Sequence, residues 1–179
     1  MPDSKKGMLE SRLSKRLRIL ALTSYSEYLD FVFSPAGRET ELINMIDAVT
    51  TNKTDFSREA EHFDYLIERI IPDLGCGKGS RPAAFWSVGC STGEEIYTLA
   101  MVLEEYKRKA HAFIYSIFAS DLSTKAPASA EHAIYAADRA DPIPMSFKKA
   151  YLLRSKDSSV ALVRIKPELR GRIRFGRII

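Results

Sequence analysis

Seven residues in the middle of the chain, Gly89-Cys90-Ser91-Thr92-Gly93-Glu94-Glu95, have the types and spacing to hold a ligand. Two glycines let the backbone turn tightly and come close to a bound group. Two carboxylates follow directly. A pyrophosphate wants bare N–H groups at a helix start, so adjacent carboxylates speak against a phosphate ligand. They suit a ligand that offers hydroxyls or a cationic amine. S-adenosylmethionine offers both and carries no phosphate. The flanking sequence supplies the elements such a loop needs. Ala83 to Val88 is an apolar run rich in aromatic and β-branched residues, which reads as a buried strand. Glu94 to Lys107 repeats apolar residues at Ile96, Leu99, Ala100, Leu103 and Tyr106, which is helical spacing. Strand, glycine turn and helix in that order let backbone approach a nucleotide-like ligand.

Asp121 is the second candidate. It ends the apolar run Phe113–Ser120, twenty-six positions after Glu95. An acid at the tip of the second strand of such a unit accepts hydrogen bonds from ribose hydroxyls. An Asp there also makes a good N-cap for a helix over Leu122–Ala128. Alone, the two roles stand level; the upstream loop favours the ribose. The polar stretch Thr50–Glu59 reads by composition as an interhelical loop, with Asp55 or Ser57 capping the next helix.

Composition removes several function classes. The chain has 179 residues, enough for one good domain or one small domain and part of another. It is 45% hydrophobic and 28% charged, as in a soluble globular protein. No window approaches the ~18 apolar residues of a membrane span, and no apolar core follows Lys5 and Lys6 to make a signal peptide. A cytoplasmic protein without membrane insertion is expected. Cys76 and Cys90 are too few for a disulfide framework and have no metal-ligand spacing, and His62, His111 and His132 are scattered. No metal is expected.

The net charge of +4 is unevenly spread. Lys5, Lys6, Arg12, Lys15, Arg16 and Arg18 stand against one acid, Glu10. Leu9, Leu13, Leu17 and Leu20 give the same segment one apolar helix face. Arg12 and Arg16 share a stripe one turn apart, with Lys15 and Arg18 around it. A solvated helix and a docking face for an acidic partner explain this equally well. No aromatics interleave with the charges, which weakens a nucleic-acid partner.

Two regions follow from the pattern. Residues 1–73 read as all-helical: a basic helix to about Ala21, then Ser24–Phe33, Glu39–Val49 and Glu59–Ile71. Ser24 and Glu27 form a capping-box signature, Pro35-Ala36-Gly37 reads as a turn, and Pro72 stops the fourth helix. Residues 74–82 read as a glycine-rich linker. It is superficially like a P-loop, but Lys78 is followed by Gly79 and the stretch precedes a strand. From residue 83 the pattern is strand, helix, strand.

Taken together, these segments resemble the chemotaxis-receptor methyltransferase (CheR) family. The matching pieces, in order, are the basic helix, Ser24-Tyr25-Ser26-Glu27-Tyr28-Leu29, Thr50–Glu59, Trp86–Glu95, Ala119-Ser120-Asp121 and Val163-Arg164-Ile165-Lys166-Pro167-Glu168-Leu169. The resemblance implies an α/β protein: a helical N-terminal domain, then a Rossmann-like class I methyltransferase domain with a small inserted β-subdomain. It implies transfer of methyl from S-adenosyl-L-methionine to glutamates on the cytoplasmic helices of chemoreceptors, by a monomer, leaving S-adenosyl-L-homocysteine. Carried over by position, the cofactor contacts are Asn52, Thr54, Arg58, Glu95 and Asp121, with Arg58 beside the transferred methyl. The basic face of Arg12, Lys15, Arg16 and Arg18 would meet the receptor. Ser57 stands where the family usually has Phe, and Ile96 where it usually has Pro. The match runs out at Phe175–Ile179, so a truncated methyltransferase domain, residues 83–179, is expected. Within it, Tyr151–Leu153, Val160–Ile165 and Arg172–Phe175 would form the β-subdomain (151–179). The loop Arg154–Ser159 has no glycine, whereas peptide-capturing relatives are glycine-rich there, so no peptide tether is expected.

The implied chemistry suits what the sequence lacks. A glutamate side chain is already ionised at neutral pH, its reference pKa being about 4.3. Attack at a sulfonium then needs alignment and desolvation, not a strong base. No His, Lys or Cys constellation stands out, which fits. Arg58 could hold a substrate carboxylate or simply pair with Glu59 or Glu94. A non-catalytic remnant that keeps receptor or cofactor binding is the alternative. A methyltransferase acting on RNA or a small molecule is a weaker one.

Overall fold

The structure, a computed structural model, describes residues 3–74, 82–110, 113–157 and 159–178. The glycine-rich stretch 75–81, with Cys76, and also His111, lie outside the described residues. Backbone packing divides the chain into two compact units: residues 1–51 with 122–125, and residues 52–121 with 126–179.

The first unit is helical. α1 (Asp3–Ile19), α2 (Tyr25–Phe33) and α3 (Pro35–Val49) close around Leu17, Tyr28 and Val32, with Leu13, Leu20, Leu22, Leu42 and Met45 against them. Of the leucine stripe read from α1, Leu13, Leu17 and Leu20 face this core, and Leu9 is half-buried outside it. Ser24 caps α2 by accepting from the Glu27 N–H at 3.2 Å. The carboxylate of Glu27 reaches back one residue further than a capping box requires, to the N–H and hydroxyl of Thr23. Pro35-Ala36-Gly37 is not a turn. It is the first turn of α3, with proline at a helix start, where its missing N–H costs nothing. One residue, Ser34, makes the whole connection. Its N–H closes α2 and its hydroxyl accepts from the Gly37 N–H at 3.1 Å. The crossing is tight: a Cβ on Gly37 would stand 1.9 Å from the Phe31 carbonyl oxygen.

A buried ion pair ties the three helices. Glu41 on α3 is 3% exposed. It accepts from Arg16 Nε at 2.8 Å and Nη2 at 2.7 Å, from the Tyr28 hydroxyl at 2.9 Å and from Asn44 at 3.2 Å.

The second unit holds a parallel sheet ordered β1-β2-β6, made of β1 (Ala83–Val88), β2 (Tyr115–Asp121) and β6 (Ile173–Arg177). The expected strand–helix–strand unit is present, with α6 (Glu94–Lys109) between β1 and β2. A second, antiparallel sheet is ordered β3-β5-β4, from β3 (Ile134–Ala136), β4 (Leu152–Arg154) and β5 (Leu162–Ile165). Arg172–Phe175, expected in this small subdomain, instead pairs with β2 from Ile117↔Ile173 onward. A short apolar strand carries no mark of which sheet it joins; β6 buries Ile173 in the larger core. The small sheet takes β3 in its place.

The segment after residue 59 runs as α4 (Ala60–Tyr65), a π-helical stretch (Leu66–Ile70) and α5 (Ile71–Asp73). Pro72 does not stop the helix ahead of itself. The wider π turn, in which the Ile71 N–H reaches Leu66 O, gives the proline ring room that an α-helical turn lacks. Ile71 is fully buried in the core of the second unit, and Phe56 is 2% exposed there. The packing break thus falls at residue 51, whereas composition changes near residue 73. Among the described residues this unit also holds α7 (Lys125–His132) from residue 126 on, α8 (Met145–Tyr151) and α9 (Pro167–Arg170).

The Glu41 cluster makes the first unit acid-sensitive. Desolvation raises the Glu41 carboxyl, but the bonds from Arg16, Tyr28 and Asn44 outweigh it, and the net pKa falls below the ordinary 4.5. A lowered folded-state pKa gives stability that is complete above the ordinary value and is lost as pH falls below it. Arg16→Ala should cost on the order of 3 kcal/mol, as when a buried pair loses one partner. Glu41→Gln should flatten the acid side of the stability curve, measured by urea unfolding between pH 3 and pH 7. An unchanged acid slope would count against the pair.

Candidate functional site

The loop after β1 is shaped by backbone that only some residues adopt. Gly89 (φ 77°), Ser91 (φ 50°) and Gly93 (φ 98°) all lie in the left-handed region. The loop folds over the end of β2: the N–H groups of Gly89 and Cys90 donate to Ser120 O at 2.8 and 2.9 Å, and Ser91 N–H donates to Asp121 Oδ2 at 2.8 Å. Asp121 is 8% exposed. It does not cap a helix at Leu122, because α7 begins only at Lys125. The Cys90 thiol beside it is pushed up to about 11, by burial first and by the Asp121 carboxylate second, so it is not a nucleophile at neutral pH.

The two carboxylates that open α6 part company. Glu94 is 2% exposed; it accepts from Thr92 Oγ1 at 2.6 Å and from Arg139 Nη2 at 2.5 Å. It is an internal anchor. Glu95 is exposed and faces a cavity of about 520 Å³ together with Arg58, against a wall that includes Phe63, Tyr65, Leu66 and Ile70. Arg58 Nε lies 3.7 Å from Glu59 Oε1, with both side chains more than half exposed. Such a pair holds little, so the Arg58 head remains available to a ligand. Glu94 is not its partner.

Arg58 sits between two strained residues, Ser57 (φ 56°) and Glu59 (φ 51°). Left-handed non-glycine backbone costs of order 1–3 kcal/mol per residue and persists where surrounding contacts force it. Here Ser57 N–H donates to Thr98 Oγ1 on α6 at 3.1 Å. That bond explains why Arg58 and Glu95 share one cavity. Thr54 is buried, and its Oγ1 has no hydrogen-bond partner; Ser91 Oγ is in the same state. Asn52 is exposed at the start of the segment. Asp55 and Ser57 do not cap α4; Glu59 precedes it without a side-chain cap bond. Sequence reasoning missed Arg139, Tyr135 and Thr98. Their partners lie 41 to 85 positions away, so no local pattern announces them.

The basic face of α1 is divided as well. Arg12 Nη1 donates to the carbonyls of Val49 and Thr50, both at 2.9 Å, satisfying the open end of α3. Arg16 holds Glu41. Both arginines therefore serve the fold. Lys15 and Arg18 are exposed.

A loop with left-handed glycines at the C-terminal end of parallel strands, an acid at the next strand tip and buried hydroxyls without partners define a nucleotide-type ligand site. The comparisons place it in a family. Residues 52–178 match the description "CheR methyltransferase, SAM binding domain", and residues 1–50 match "CheR methyltransferase, all-alpha domain". The chain belongs to the CheR methyltransferase family. It is 37% identical over 161 residues to a chemotaxis protein methyltransferase of Borreliella burgdorferi (88% of this chain, 56% of that one). It is 34% identical over 178 residues to chemotaxis protein methyltransferase 2 of Pseudomonas aeruginosa (99% and 61%) and 32% over 175 residues to that of Escherichia coli (98% and 58%). The chain thus spans less than two thirds of each relative's length.

The residues present fit S-adenosylmethionine, the ligand for which the matched domain is named. Thr54 Oγ1 and Ser91 Oγ are buried and need partners. The space beside Gly89 is open, a Cβ there meeting nothing within 4 Å. Glu95 presents a carboxylate to the cavity.

Gly93 is the glycine the loop cannot replace. Besides its φ of 98°, an added Cβ would meet Ala130 Cβ at 2.8 Å and the Tyr135 hydroxyl at 2.9 Å. Gly93→Ala should destabilise the second unit by about 3 kcal/mol, from strain plus overpacking. Gly89→Ala carries only the strain and should cost less. Equal losses in denaturant unfolding would refute the packing argument.

Proposed function

We propose that this chain is the part of a protein-glutamate O-methyltransferase that binds S-adenosylmethionine and the receptor helix, and that it carries methyl to glutamate side chains of chemoreceptors in the cytoplasm. The observation that carries the reading is the cavity shared by Arg58 and Glu95, with the Ser91–Asp121 contact in the loop just before α6. When bound, S-adenosylmethionine supplies a methyl on a sulfonium and leaves as S-adenosylhomocysteine. In this reading Asp121 would hold hydroxyl groups and Glu95 an ammonium, with Thr54 and Ser91 adding hydrogen bonds. Arg58 holds the substrate carboxylate in line by a charge-assisted bond. No side chain has to remove a proton, since the glutamate is already ionised. Lys15 and Arg18 offer the docking charge to an acidic receptor helix, because Arg12 and Arg16 are engaged in the fold.

The second reading is binding without turnover.

Titration with S-adenosylhomocysteine followed by a methyl-transfer assay on receptor cytoplasmic fragments separates the readings. Binding with transfer supports the enzyme, and binding alone supports the second. No binding overturns both. Asp121→Ala should weaken S-adenosylhomocysteine by about 1.5–3 kcal/mol, while Asp121→Asn keeps an acceptor for Ser91 and should lose less. Charge reversal at Lys15 and Arg18 should slow methylation, more at low salt than at high, with cofactor affinity unchanged.

A further inference from the structure

The two loops of the site are held by one short segment that neither the motifs nor the comparisons assign. Tyr135 lies on β3, and Arg139 lies in the 3₁₀ turn Asp138–Ala140 that follows. Tyr135 donates its hydroxyl to Thr92 O at 2.8 Å, inside the glycine loop, and its ring meets Phe56 edge-on at 4.9 Å between centroids. Arg139 reaches three acceptors. Nη2 donates to Thr54 O at 2.6 Å and to Glu94 Oε1 at 2.5 Å, and Nη1 is ion-paired with Asp55 Oδ1 at 3.0 Å. Glu94 in turn accepts from Thr92 Oγ1. The Thr54–Arg58 loop, the Ser91–Gly93 loop and the first turn of α6 therefore converge on Tyr135 and Arg139.

We infer that Tyr135 and Arg139 are positioning residues: they brace the two loops against α6, so that Arg58 and Glu95 present one site. The planar fork of an arginine does this where a lysine cannot, because a single ammonium does not span a carbonyl and two carboxylates in fixed directions. The brace rests on reading these loops as the cofactor loops, but loop order is measurable without any ligand.

Arg139→Lys in the full chain is the main test, because it keeps a positive charge beside the buried Glu94. Arg139→Ala with Glu94→Gln is the second variant, because it removes the uncompensated carboxylate. Hydrogen exchange without ligand should rise about tenfold or more at residues 52–59 in both, the loss of about one charge-assisted bond. Exchange in β1 and β2 should stay as in the parent. Tyr135→Phe should raise exchange at residues 91–93 first. S-adenosylhomocysteine affinity should fall about tenfold in Arg139→Lys, but less than threefold when Arg58→Ala is already present, because Arg139 acts through that loop. Unchanged exchange at 52–59, or an equal rise across the whole unit, overturns the brace. Unchanged exchange with lost affinity overturns it too. Absent ligand binding combined with local exchange gains leaves the brace standing and removes the proposed function.

Discussion

A carboxylate that is 2% exposed has to be paired and hydrogen-bonded, and Glu94 imposes that condition on the second unit. Its needs are met from two sides. Thr92 supplies a hydroxyl from the glycine loop, and Arg139 supplies a guanidinium from the turn after β3. Arg139 then has capacity left for Thr54 O and Asp55. A single buried charge thus draws together three chain segments that share no sequence neighbourhood. The left-handed residues Ser57 and Glu59 are tolerable because Phe56 is already anchored in the core and Ser57 is bonded to Thr98.

What the sequence made legible was whatever repeats or punctuates locally. The β1 run, the spacing of α6 and the end of β2 at Asp121 all fall where periodicity put them. Three of the four leucines of the α1 stripe face its core. Local reading failed where one residue does two jobs. Pro35 and Gly37 look like turn residues, but Ser34 alone makes the turn, and both belong to a helix. Pro72 looks like a stop, and a π turn absorbs it. It failed again where the partner is remote. Arg172–Phe175 is a plausible strand in either sheet, and only the register with Ile117–Asp121 decides.

The site itself was half legible. Glycines and acids at strand tips are backbone requirements, so they show in the sequence. Which of Glu94 and Glu95 faces the cavity does not show, since adjacent helical residues differ only in the direction they face. The same holds for α1. Arg12, Lys15, Arg16 and Arg18 look alike as a charge run, yet two are spent on the end of α3 and on Glu41. A charge run counts cations; it does not say which have partners.

The distribution of titratable groups also argues about chemistry. The cavity is lined by Arg58, Glu59, Glu95, His62 and Tyr65 with apolar neighbours, and the Cys90 thiol of the glycine loop is held protonated by burial. A site for an already ionised nucleophile needs no group to remove a proton. This one invests in geometry: strained backbone on either side of Arg58, a hydroxyl clamp from Thr98, and a guanidinium fork fixing Thr54. For displacement at a sulfonium by an already ionised carboxylate, the barrier is lowered by alignment and by exclusion of water. A rigid loop that sets one cation is the form such an investment takes.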